Sequence, residues 1–226
     1  MATTTRRPRG QGRPHASAPG ASREALLDAA AGLFGRQGIA ATTTAQIAAE
    51  AGVTAAMVHY HFAGRDALLD ALVEARIAPL LAQVWAPVPE GTPVAAWIEI
   101  LVRRLLEGPG RTPWLPPLWI REVLSEGGLL RERVLARLPV AQLQALGAAV
   151  AAGQARGEVN PDLEPRLLVL SLLGLTMLPL ATAGLWGRLP GAAGIDAEAI
   201  ARHATALLTA GLRPDRPGRG PTRRSR

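Results

Sequence analysis

Apolar residues recur along most of the chain at the three- and four-residue spacing of a helix, and no period-two alternation lasts long enough for a strand. In residues 22–37, Leu26, Ala30, Leu33 and Phe34 share one stripe, Ser22 stands where a cap belongs and Gly38 where the helix should stop. Thr43 and Gln46 have the spacing of a capping box for a helix reaching about Ala51. Gly52 can take the positive φ of a turn, and Thr54 can cap a short helix ending near Tyr60 or His61. A longer helix is predicted over 65–83, bent at Pro79. Thr92 and Pro93 should open a helix running to Gly108. Further helices are predicted at 116–126, 129–153 (interrupted near Pro139), 163–187 and 196–211, the last capped by Asp196. The fold class expected is all-α.

The segment 43–61 has the physical signature of a helix-turn-helix. Two short helices that cross steeply need a small residue at their contact, a glycine in the turn and an apolar anchor on the second helix. Ala48, Gly52 and Val58 fill these places, with Ile47, Ala51 and Val53 between the helices. An ordinary helical hairpin would share part of this pattern.

Composition narrows the class. At 48% hydrophobic, the chain can bury a real core, and without cysteine it has neither a disulfide frame nor a thiolate metal site. The formal charge is +7, but residues 1–21 hold +4 and residues 213–226 hold +5, which leaves −2 for residues 22–212. Both ends are rich in Pro, Gly and Arg and read as disordered basic tails, 1–21 and 213–226. The first twenty residues lack the apolar run of a secretory signal, and a cytoplasmic location is expected. Residues 167–187 carry no charge, which is long enough for a membrane span. A membrane-attached or purely protein-interacting helical protein is therefore the alternative reading. Ser171, Thr176, Pro179 and Thr182 dilute the run, so a buried or inter-subunit helix is preferred and no membrane is expected. No nucleophile elbow, P-loop, zinc-protease or dinucleotide motif occurs, so no enzyme and no cofactor are expected. His59 and His61, two apart on a helix, do not face one another, and no metal site is expected.

The stretches "ALLDAAAGLFGRQGIAATTTAQIAAEAGV" and "VHYHFAGRDALL" carry a resemblance. In order and spacing, the paired threonines, Ile47-Ala48, Ala51-Gly52-Val53, Tyr60-His61-Phe62 and Arg65-Asp66 resemble the N-terminal region of TetR/AcrR-type transcriptional regulators, over residues 23–69. The resemblance implies a three-helix DNA-binding domain, placed here at 22–66. It also implies a larger helical ligand-binding and dimerisation domain, placed at 67–212. Three departures matter: Ala55 and Ala56 stand where the family often has lysine and glycine, His59 where it usually has a phosphate-binding tyrosine, and Arg65 for the common lysine.

The second helix thus has no Arg or Lys, although affinity for duplex DNA comes mainly from phosphates. Hydroxyls and helix starts also bind phosphate. The expected phosphate contacts are Thr43, Thr44, Thr54, His59, Tyr60 and Arg65, with Arg36 as an addition. Ala55, Ala56 and Met57, with His59, should meet base edges, their small apolar side chains suiting thymine methyls. The Arg-rich stretch at 6–13 is a candidate for the adjacent minor groove. In the larger region, Trp97, Leu101, Arg104, Trp119, Met177 and His203 are candidates for a small, mainly apolar effector. Leu167, Leu170, Gly174, Leu178 and Ala181, with Ile200, Ala204, Leu207, Leu208 and Gly211, are expected to pair two copies through helices near 163–187 and 196–211. The expected partners are double-stranded DNA, a small-molecule effector and a second copy of the chain. The expected function is a ligand-responsive regulator, a repressor acting on a palindrome-like operator.

Overall fold

The computed structural model describes residues 19–108, 111–192 and 194–214, with side chains described from Arg23 onward. The expectations for residues 1–18 and 215–226, including the basic stretch at 6–13, lie outside the described residues. The described residues contain no strand.

Helix α1 spans Pro19–Gln37 and α2 Thr44–Glu50. Residues 19–21 are already helical, so Ser22 lies inside α1 rather than at its cap. Helix α2 begins with the expected capping box: Gln46 N–H donates to Thr43 Oγ1 at 3.2 Å, and Thr43 N–H donates to Gln46 Oε1 at 2.9 Å. Gly52 turns the chain with φ +69°, and α3 follows at Ala55–His61. Ala48 and Val58 are each 2% exposed where the helices meet, as a steep crossing requires.

Helix α4 (Arg65–Leu72) continues through a π turn at Val73–Ile77 into α5 (Ala78–Val84). The predicted bend at Pro79 takes the form of this π turn, in which Ala78 N–H donates to Val73 O. A proline has no N–H and crowds the carbonyl four residues back, and widening the preceding turn relieves both. Helix α6 spans Val94–Glu107. It starts after Pro93, and Thr92 donates its hydroxyl back to Pro89 O at 2.6 Å instead of capping the helix.

Helix α7 (Leu115–Trp119) runs into a second π turn, Ile120–Leu124. Helices α8 (Arg131–Leu135) and α9 (Val140–Ala155) are separated at Pro139, as predicted. The uncharged run from 167 is not one long helix. After a 3-10 turn at Pro165–Leu167 it forms α10 (Leu168–Ala181), which contains Pro179, and then the short α11 (Ala183–Trp186). No helix of the described residues is long and apolar enough to cross a membrane. Helix α12 (Ala197–Leu212) starts where Ala199 N–H donates to Asp196 at 2.8 Å.

Two apolar cores form. The first joins α1–α5 to α7, its π turn, α8 and Met177. The second lies among α6, α9, α10 and α12, and Leu173 packs against both. The small helices at the N-terminus therefore share a continuous core with residues 115–134. Gly35 marks the closest approach: a Cβ there would fall 2.7 Å from the Trp114 Cα, so α1 sits directly on the start of α7.

Candidate functional site

Helices α2 and α3 present an outer face built from the residues that sequence reasoning selected. Thr43, Thr54, Ala55, Ala56, His59 and Tyr60 are exposed, and Thr44 and Met57 are half-buried. Tyr60 is 73% exposed, a large aromatic surface left open to solvent among the described residues. Thr54 stands at the N-cap of α3 with extended backbone, yet its hydroxyl makes no capping bond. Behind this face the helices are tied down. Arg36 donates to Glu50 at 2.7 Å, joining α1 to α2, and the Arg23 guanidinium lies 5.4 Å over the Phe62 ring. The ion pair occupies the cation that was expected to assist phosphate binding.

Arg65 is also engaged inside the protein. Its guanidinium donates to Thr42 O at 2.8 Å and to Ile39 O, two carbonyls of the loop that leads into α2. On the other side of that loop, Ile39 N–H donates to Glu122 Oε1 at 3.1 Å, and Leu129 N–H donates to Glu122 Oε2 at 3.1 Å. Glu122 is only 6% exposed. Sequence reasoning missed it although a signal was present: Leu115, Leu118, Trp119, Glu122 and Val123 follow the helical stripe, so the carboxylate falls on the core side. A charge in that place must find partners, and here they are backbone amides.

A cavity of about 330 Å³ opens between α5, α6, α7, α8, α9 and α10, lined by Ile77, Val84, Trp85, Leu101, Trp119, Val134, Met177 and other apolar side chains. Among the described residues, Arg131 is the one charged group on its wall, and it donates to Val123 O at 3.1 Å and Leu124 O at 2.8 Å. The buried Trp119 indole N–H has no hydrogen-bond partner among the described residues. Of the six effector candidates, Leu101, Trp119 and Met177 meet on this cavity. The other three lie elsewhere. Arg104 donates to Val84 O at 3.3 Å and to Ala86 O, Trp97 lines a cleft beside the 88–93 loop, and His203 lines another with Trp186. Trp85 and Leu143 line the cavity without having been singled out by sequence.

The helices proposed to pair two copies divide in the same way. Leu167, Leu170, Gly174 and Leu178 form an exposed stripe on α10 and its lead-in turn. Of the five α12 candidates only Leu207 and Gly211 are exposed, whereas Ile200, Ala204 and Leu208 belong to the second core of the same chain. One helix face cannot serve both purposes, so the available part of α12 is narrower than its periodicity suggested.

The sequence profile of bacterial regulatory proteins, tetR family, matches residues 26–72, which are the helices carrying this outer face. The chain is 30% identical over 116 residues to TtgW of Pseudomonas putida, an uncharacterized HTH-type transcriptional regulator, covering 50% of this chain and 84% of TtgW. The chain belongs to the tetR family. A match of the same identity and length to the HTH-type transcriptional regulator SrpR of Pseudomonas putida spans about half of that protein, 53%. In three dimensions, this tetR-family chain is similar to the ketosteroid transcriptional regulator KstR2 of Mycobacterium tuberculosis. The TM-score is 0.66 at 20% identity, over 84% of this chain and 94% of that one, so the larger helical region also has the family's fold. As a tetR-family transcriptional regulator, it is a DNA-binding protein.

Proposed function

We propose that the protein is a ligand-responsive transcriptional repressor that binds a palindrome-like operator as a homodimer and leaves it when a small, mainly apolar effector enters the cavity. In this reading residues 22–66 read DNA, and residues 67–212 hold the effector and the second copy. The observation that carries it is the cavity itself. Part of its wall belongs to α7, which packs on α1, and to the end of the π turn Val73–Ile77, which continues α4. Filling it displaces those walls and changes the population of DNA-competent dimers.

The lining favours a ligand with a large apolar body. The unpaired Trp119 N–H favours a ligand with a hydrogen-bond acceptor, and KstR2, named for ketosteroids, shares the fold. On the DNA side, Thr43, Thr44, Thr54, His59 and Tyr60 supply phosphate contacts, and Ala55, Ala56 and Met57 face base edges. With no Arg or Lys on α3, part of the electrostatic affinity is assigned to the Arg-rich stretch at 6–13. The test is selection of bound duplexes from random DNA, followed by a screen of apolar compounds for release. Recovery of an inverted repeat released by such a compound is expected, and recovery of no sequence preference would reject the reading. Removing residues 2–18, which spares α1, should flatten the salt dependence of binding.

A further inference from the structure

We infer that Arg65 and Glu122 act as paired positioning residues: they clamp the loop Gly38–Thr42 between opposite charges and thereby set where the Thr43–Thr44 end of α2 meets DNA. The inference rests on the family's DNA binding and needs neither the operator symmetry nor the effector. Ile39 is held at both of its peptide groups. Its N–H goes to Glu122 and its carbonyl accepts from Arg65, which also reaches Thr42 O. Thr42, 1% exposed, closes the loop by donating its hydroxyl to Gly38 O at 2.7 Å. The next residue is the cap of α2, so a shift of this loop is a shift of the cap.

The two charges come from distant parts of the chain. Arg65 opens α4, whereas Glu122 lies on the π turn after α7, where its neighbour Val123 lines the cavity. The approach is close on all sides. A Cβ on Gly38, whose φ is +85°, would lie 3.1 Å from the Arg121 side chain, and one on Gly128 would fall 2.3 Å from Glu122 O. Each Glu122 carboxylate oxygen accepts from a backbone amide, so both oxygens are used. Arg65 suits its place because a planar fork can span two carbonyls, which an ammonium cannot do with the same geometry.

A residue that touches phosphate and one that positions others differ in a measurable way. Losing a phosphate contact lowers the slope of log affinity against log salt by about 0.9, whereas losing a positioning group lowers affinity equally at every salt concentration. The probe is a duplex that the full wild-type chain retains from a random pool, with binding followed from about 50 to 200 mM salt. Arg65→Lys keeps the charge, so it would preserve a phosphate contact. The clamp predicts instead an affinity about tenfold lower with an unchanged slope, the loss of one charge-assisted hydrogen bond. Glu122→Gln, which leaves one amide facing an NH₂ group, should do the same although it removes a negative charge that would otherwise repel DNA.

Equal or tighter binding by Glu122→Gln, wild-type affinity in Arg65→Lys, or a slope about one lower in Arg65→Met would each overturn the clamp. In the wild-type chain the Ile39 amide should exchange with solvent as slowly as core amides, and fast exchange would overturn the clamp without any variant. An empty selection would count against the DNA reading itself, and the clamp would then stand or fall on the Ile39 amide.

Discussion

Gly52 shows how one residue shapes the reading unit. Its φ of +69° is a region where a side chain is strained, and a Cβ there would meet nothing within 4 Å, so conformational strain is the only cost of substitution. Gly52→Ala should therefore cost about 1 kcal/mol, and Gly52→Asn less, measured by urea unfolding. A cost near zero for alanine would mean that the turn relaxes. This glycine, the Thr43–Gln46 box and the Ala48–Val58 contact were all legible in the sequence, because each depends only on residues within a few positions. Thr92 was not, because a cap competes with neighbours such as Pro93 that also open helices well. Another local pair gives a pH prediction. Side-chain and backbone hydrogen bonds with Arg166 hold the Glu164 carboxyl down to about 2. Its folded value lies below the unfolded value of about 4.3, so its stabilising contribution is complete above that pH and is lost as pH falls through about 2. A carbon-detected NMR titration giving an ordinary carboxylate midpoint for Glu164 would refute this.

Among elements, the informative one is the strap from α7 to α8. Its inner side, with Trp119, Val123 and Val134, lines the cavity, and its outer side grips the helices at the N-terminus. Arg133 bridges Asp66 at 2.8 Å and Asp70 at 2.6 Å, and Arg137 pairs with Glu74 at 2.8 Å, so two arginines alternate with three acids along one side of α4 and its π turn. Burial pulls the Arg133 guanidinium's pKa down, but its hydrogen bonds to Asp70 and Asp66 outweigh this and raise it. The acids are exposed, so solvent screening limits the value of the ladder. Arg133→Ala should cost about 0.5–1 kcal/mol and lower Tm by about 2 °C, with the gap closing near 1 M salt. A gap that persists in high salt would mean that the side chain acts by packing instead. Neither the strap nor the cavity was legible in sequence. Periodicity places each helix's apolar face, but Leu101, Trp119 and Met177 converge only once the packing of several helices is known. Glu122 was legible in principle, since it falls on an apolar stripe, but one of its two partners, Ile39, lies 83 residues away in the chain.

For the whole molecule, the unanswered surface is the C-terminal one. Leu170, Leu178 and Leu207 are 57%, 47% and 51% exposed, and they lie on α10 and α12, which pack on each other across the second core. Each of these leucines is already about half buried, so covering the rest is worth about 0.7–1.5 kcal/mol, and two-fold pairing counts every residue twice. In the proposed dimer, such pairing would supply the fixed separation that two reading helices need to meet half-sites about one DNA turn apart. Leu178→Glu combined with Leu207→Glu changes only exposed positions outside the apolar cavity, so helicity and the monomer's own core should survive. Sedimentation equilibrium should show a dimer for the wild-type chain and a monomer for the double variant. The variant's affinity for a selected palindrome should fall about 100-fold, because the second half-site contact is no longer intramolecular. A wild-type monomer, or a monomeric variant that holds the palindrome as tightly as the wild type, would reject this arrangement. The first outcome would remove the dimer. The second would leave the dimer in place but take from it the task of measuring DNA.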